Sequence, residues 1–487
     1  MTAQDPSKQL LSPIHQQAVN NASAPAYCAA GHAVSYQTLS QQVIAITEQL
    51  RALGLTAGDR LACVSFNNPR LLALYWACVD TGILFCPISP RFAPQQIIEL
   101  INTHQYQHYW LEPTQDTGLE HLQLKQLLQS QQTSNMVDID FNLLSSNQAA
   151  LIDSTRAVNA ILTSGSSGTP KAAAHSLANH IASAAGSSEL IELAIEDSWL
   201  LTLPLFHIGG LAILNRCAIA GSCVVFEDKS LTLAQQLSRD KISHLSLVSA
   251  QLQQLLHADS ENNNDSLGRV KAMLLGGGAI SADLLAELAK RDIKAYTSYG
   301  MTEMGSQITT GVAHGDGASG KPLSGRELKI IDGEIWVKGE CLFLGYLVKG
   351  GFNLPVDQAG WFYTKDLGHF DANGNLCIDG RADNMFISGG ENIQPEEIET
   401  ALKLHPKISD AIVFPQADHQ FGCLPAAIIK LAKDPANQPS EAELTEFLAN
   451  KIARFKRPRC YYPWPEVSCA GIKIVRKQMI EAVRAKV

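Results

Sequence analysis

Three observations predict an α/β protein with a large N-terminal domain and a small C-terminal one. Apolar runs of strand length alternate with stretches of helical apolar spacing, the rhythm of βαβ units and of a mainly parallel sheet. At 487 residues the chain is too long for one compact core. After about Gly380 the texture shifts to a shorter, more charged segment of small-domain size.

Along the chain, Leu39, Val43, Ile46, Leu50 and Leu53 recur at helical spacing over residues 35–53, and Gly54 stops them. Residues 61–66 read as a buried strand, 70–80 as a helix and 82–87 as the next strand. Residues 105–148, rich in Gln, Ser and Asn, read as a surface connection of little chemical content. The βα alternation resumes at Val158. Residues 200–226 read as a buried strand–loop–helix–strand passage. Pro204, His207, Gly209, Gly210, Asn215 and Arg216 would be costly in hydrocarbon, so no membrane span is expected there. Residues 224–226 and 272–275 fit further buried strands, and 261–265 a polar loop. In the C-terminal part, 395–404 and 441–454 read as helices and 411–414 as a strand. The expected division is 1–381 and 382–487.

Composition narrows the function classes. Apolar residues are 46% and charged residues 17%, the profile of a globular enzyme. A net charge of -9 argues against non-specific nucleic-acid binding, which needs clustered Lys and Arg. The eleven cysteines show no CxxC spacing, so reduced buried thiols are expected, not a zinc site or disulfide framework. The N-terminus carries neither a basic nor an apolar leader region, which points to a cytoplasmic protein. The oligomeric state stays open, a homo-oligomer included.

The strongest local signal runs from Ile161 to Lys171. An apolar strand enters a loop of Thr163, Ser164, Gly165, Ser166, Ser167, Gly168 and Thr169, followed by Pro170, Lys171 and a helix-like stretch over 172–188. Glycines let backbone N–H groups turn toward an anion, hydroxyls add donors, and lysine supplies charge. The Walker A spacing is not met. A plain flexible linker would not be bracketed by an apolar strand and an alanine-rich segment.

Together with four later segments, in order along the chain, this loop resembles the adenylate-forming superfamily of acyl-CoA synthetases, luciferases and adenylation domains. The other segments are Tyr296–Glu303, Gly360–Gly368, Gly380–Glu399 and Gly471–Arg476. The resemblance implies a large N-terminal adenylate-forming domain of βα layers, with parallel-rich sheets and a β subdomain. It also implies a small mobile α+β lid that turns about a hinge near Asp383. It further implies that Tyr299 stacks on adenine, Thr302 contacts the α-phosphate and Glu303 binds Mg²⁺. A flat ring, a hydroxyl and a hard anionic oxygen suit those partners. Gly278 and Ala279 would lie along the adenine, and Asp366 and Arg381 would hold the ribose. Gly389 and Gly390 would approach the pantetheine arm of coenzyme A, and Lys473 would be the catalytic lysine of the lid. Relatives mostly carry glycine where Lys365 stands, and often lysine where Ile387 stands.

The implied activity activates a carboxylic acid with ATP as an acyl-adenylate, then transfers the acyl group to coenzyme A. Loss of Lys473 is expected to cripple the first step and spare the second. His207, in the segment 204–210, lies where relatives place a gate beside the acyl pocket, although a structural histidine is equally consistent. Residues 171–175, Lys365 and the context of Lys473 resemble the o-succinylbenzoate–CoA ligases of menaquinone biosynthesis. Other aryl- or medium-chain acyl-CoA ligases are the nearest alternative. A carrier-loading adenylation module is disfavoured by Gly389-Gly390 and by the lack of a carrier domain after Val487.

Overall fold

A computed structural model describes residues 8–112, 118–131, 134–163, 170–247, 249–262, 266–276, 282–291, 293–314, 317–381, 384–432, 439–465 and 476–485. Two large mixed sheets dominate residues up to 353, one of eight strands and one of nine. In the first, Leu84–Ile88, Arg60–Val64 and His108–Leu111 pair in parallel, while Ala157–Thr163 and Lys171–Ser176 form an antiparallel hairpin. In the second, Cys223–Phe226, Ser198–Leu201, His244–Leu247, Ala272–Leu275 and Ala295–Met301 run parallel. The helices Tyr36–Ala52, Pro69–Thr81 and Ile208–Ala220 supply much of the largest apolar cluster, which also draws on both sheets. Local chemistry explains their ends. The Asn68 side chain accepts from Leu71 N–H, Pro69 opens the helix, and Gly82 closes it in the left-handed conformation at φ +75°.

A four-stranded antiparallel sheet follows, in the order Arg326–Ile331, Glu334–Gly339, Phe362–Phe370, Leu376–Arg381. The C-terminal part has its own apolar clusters, centred on Ile398, Leu402, Val413, Leu444 and Leu448 and on Phe414, Ile428 and Met479. Its three-stranded sheet pairs Ile408–Asp418 with Gly422–Leu431 antiparallel and the latter with Cys460–Pro463 parallel. Among the described residues no helix is long and apolar enough to cross a membrane, and the described cysteines are all free thiols.

Three expectations need correction. Residues 105–148 are not merely a connection, because His108–Leu111 and Asn135–Met136 extend the eight-stranded sheet and Gly118–Gln131 is helical. Within the strand His108–Leu111 the buried apolar run is Tyr109, Trp110 and Leu111, too short to stand out against the polar surroundings. Residues 172–176 are strand, not helix. Strands bond this segment on both sides, and Ala172, Ala173 and Ala174 are wholly buried, so sheet pairing overrides alanine's helix preference. The helix begins only at Leu177, where Ser176 and Asn179 form a reciprocal cap. Finally, the helix Ser249–Asn262 runs into the segment expected to be a polar loop.

Candidate active site

The hairpin register places Thr163 directly opposite Lys171. Lys171 therefore opens a strand, not a helix. Ser164, Gly165, Ser166, Ser167, Gly168 and Thr169 themselves lie outside the described residues. His104 Nε2 bonds the carbonyl of Pro170 at 3.0 Å, fixing the returning end of the loop. That anchor, remote in sequence, carried no motif by which it could have been found.

The exposed Lys171 ammonium lies 4.7 Å from the centroid of the Tyr346 ring. The same tyrosine donates its hydroxyl to Glu303 Oε1 at 2.7 Å. One side chain thus joins Lys171 to the expected metal carboxylate. Glu303 is buried and sits in a single turn of 3-10 helix, Thr302–Met304, closed by Gly305 at φ +61°. Among the described residues no group of three or more His, Cys, Asp or Glu could hold a metal ion. A single buried hard carboxylate is the kind of group that suits a Mg²⁺ ion carried mainly by nucleotide phosphates.

Upstream of this turn, Tyr299 donates its hydroxyl to Asp366 Oδ2 at 2.6 Å. Asp366 is the cross-strand partner of Arg381. The expected adenine and ribose residues are therefore neighbours, although they come from segments 67 positions apart. Lys365, just before Asp366, has φ +66°. That left-handed backbone is one glycine adopts most readily, so the lysine holds it under strain within the strand Phe362–Phe370.

A second group forms around His207. Its Nε2 donates to Glu391 Oε2 at 2.9 Å, and Arg91 donates to Glu391 Oε1 at 2.7 Å. Glu391 directly follows Gly389 and Gly390, which turn between Phe386–Ser388 and Glu391–Ile393 at φ +55° and +83°. A Cβ on Gly389 would meet the Phe421 ring at 3.0 Å, so the turn needs glycine for both space and conformation. Burial pushes the Glu391 carboxyl up, but the His207 hydrogen bond and the charges of His207, Arg91 and Lys456 outweigh it and hold it below its ordinary range.

Arg216 belongs to the site as well as to the apolar stretch 200–226. It lies on the helix Ile208–Ala220, which begins just after His207, buried, with its guanidinium 5.4 Å from the Trp199 ring centroid. It donates to Gln307 Oε1 at 2.6 Å, its Nε has no partner, and no ion pair is formed among the described residues. Burial, with Arg326 nearby, lowers its pKa to about 10. An arginine inside an apolar helical run was the signal that could have found it.

Gly278, Ala279, Asp383 and Lys473 lie outside the described residues, and of Arg381 only the backbone is described. The AMP-binding enzyme family matches residues 14–347, and its C-terminal domain matches residues 397–468.

The chain belongs to the AMP-binding enzyme family.

Among its relatives, a 2-succinylbenzoate–CoA ligase of Salmonella typhimurium is 34% identical over 94% of each chain. Among solved structures, the o-succinylbenzoate CoA synthetase of Bacillus subtilis is similar in two states at 27% identity. As a double mutant bound with its product analogue it gives a TM-score of 0.85, over 97% of this chain and 99% of that one. In complex with ATP and magnesium it gives 0.69, over 97% and 100%. Because both states share essentially one sequence, the gap reflects arrangement, not divergence. This AMP-binding enzyme therefore superposes better on the double mutant bound with its product analogue than on the complex with ATP and magnesium.

Proposed function

We propose that this enzyme is a cytoplasmic 2-succinylbenzoate–CoA ligase of two half-reactions. ATP and the acid give an acyl-adenylate and pyrophosphate, and the coenzyme A thiol then displaces AMP. The linkage of Lys171, Tyr346 and Glu303 carries this reading, because a carboxylate attacking a triphosphate needs its charge neutralised at a fixed point. Mg²⁺ on Glu303 would supply Lewis-acid stabilisation of the phosphates. Thr302 and the 163–169 loop would supply donors to the phosphates. Tyr299 would hold the adenine, with Gly278 and Ala279 along it, while Asp366 and Arg381 hold the ribose. Lys473 would serve the first step. The division at 381/382 would let the lid turn about Asp383, withdrawing Lys473 and delivering Gly389-Gly390 for the second step.

The contact of His207 with Glu391 supports a gate role for His207 over a purely structural one, since it joins the acyl side to the lid. A cleft of the C-terminal part lined by Arg454, Arg457 and Arg459, against the single acid Glu441, offers an otherwise acidic chain a net cationic face for coenzyme A phosphates. Arg216 is suited to the second carboxylate of the acid, because a buried guanidinium without an anionic partner is costly until one arrives. Free cysteines suit a reducing compartment.

The test is a panel of acids in ATP–pyrophosphate exchange, followed by detection of the coenzyme A thioester. 2-Succinylbenzoate is expected to turn over best. Turnover of another acid with none of 2-succinylbenzoate would refute the substrate, and exchange without thioester would refute the acceptor.

A further inference from the structure

We infer that His175 is a positioning residue for the nucleotide half-reaction, acting through the backbone carbonyl of Thr302. The inference rests on the proposed roles of Thr302 and Glu303. His175 Nε2 lies 2.7 Å from Thr302 O. A carbonyl can only accept, so Nε2 must carry the proton.

The other ring nitrogen completes the assignment. His175 Nδ1 is 3.2 Å from Asn159 Nδ2, and Asn159 Oδ1 is 2.6 Å from His180 Nε2. With Nε2 protonated and the ring neutral, Nδ1 accepts from the asparagine amide, whose oxygen accepts from His180 Nε2–H. His180 Nδ1 is then bare, and it has no partner. Flipping the Asn159 amide would demand a second proton on His175, an imidazolium at a site with no exposure. Burial lowers the His175 pKa to about 4, in accord with a neutral ring. One arrangement of protons therefore satisfies the chain from His180 through Asn159 and His175 to Thr302.

The place of this chain in the fold gives it a role. His175 lies on the strand Lys171–Ser176, opposite Asn159 in register, so the strand that presents Lys171 also holds Thr302. The turn is anchored elsewhere by Phe343 N–H on Glu303 O at 2.8 Å and by Ser183 Oγ on Gly305 O at 2.8 Å. His175 supplies the side-chain anchor at Thr302 itself. Without it, Thr302 loses the side-chain tie to the strand that presents Lys171, while Glu303 keeps its bonds to Phe343 N–H and Tyr346.

The test compares two polar replacements that differ in reach. His175→Gln can place an N–H near the position of Nε2, whereas the shorter His175→Asn reaches only the Nδ1 side. In ATP–pyrophosphate exchange, His175→Asn is expected to raise KM for MgATP about tenfold. His175→Gln should stay near the parent. Both should form thioester from preformed acyl-adenylate at the parental rate, with similar melting temperatures. Equal behaviour of the two variants in exchange would overturn the inference, as would equal losses in both half-reactions. Glu303→Gln serves as control: unchanged KM for MgATP in that variant would fell the site reading itself, and this inference with it. Independently of activity, ¹⁵N spectra of histidine-labelled protein should show the resonances lost in His175→Gln as the neutral Nε2–H tautomer. A neutral Nδ1–H form or an imidazolium would overturn the inference.

Discussion

Tyr346→Phe removes one oxygen and leaves the ring. The ring still packs edge-on against Phe343 at 4.9 Å and still underlies the Lys171 ammonium at 4.7 Å. What disappears is the 2.7 Å hydrogen bond to Glu303 Oε1. A hydrogen bond to a charged group contributes about 1.5–3 kcal/mol. Glu303 is only 7% exposed, so little water replaces the lost donor. The expected stability loss is therefore about 1.5–3 kcal/mol by urea unfolding without ligand. A double-mutant cycle locates the effect. Tyr346→Phe combined with Glu303→Gln should show a coupling of at least about 1 kcal/mol. Tyr346→Phe with Lys171→Met should be additive within about 0.5 kcal/mol, because the ring face is kept. Coupling to Lys171 without coupling to Glu303 would refute the reasoning that the hydroxyl organises the carboxylate.

Three further outcomes are expected. Lys365→Val should destabilise the protein by about 1–2 kcal/mol in urea, since a β-branched residue tolerates φ +66° poorly. Lys365→Gly should not destabilise it, and a loss on introducing glycine would refute the strain. The lid contact of Glu391 should depend on pH. Its carboxyl is held below the ordinary range, so the contact is at full strength above the ordinary glutamate value near about 4.3 and is lost as pH falls through the depressed one. Small-angle scattering across that window should show the lid released at low pH in the parent, and Glu391→Gln should flatten the dependence. Arg216→Met should weaken 2-succinylbenzoate about 10–100-fold relative to a monocarboxylic aryl acid, read as the ratio of kcat/KM values. An unchanged ratio would remove Arg216 from the acyl site.

Much of the architecture was legible in the residues. The helix Pro69–Thr81 announces itself by Asn68, Pro69 and Gly82, and the strand Ala272–Leu275 by four apolar residues before a glycine run. The stretch 172–176 was misread because alanine is weakly committed, so the neighbouring strands decided its conformation. The buried strand His108–Leu111 went unseen because burial on a sheet's two faces leaves only a few apolar letters in a polar stretch.

The same division holds at the site. Glu303, Asp366, Lys171 and His207 stood out because their chemistry sits in local motifs, which a linear chain preserves. Sequence order by itself determined the kind of protein, its two-part plan and the residues with chemistry to offer. Only tertiary structure brought Tyr346 between Lys171 and Glu303, His175 beneath Thr302 and Glu391 against His207. These contacts span 43, 127 and 184 positions. No local propensity encodes such distances, because the partners meet only when the sheets assemble and the C-terminal part packs against them.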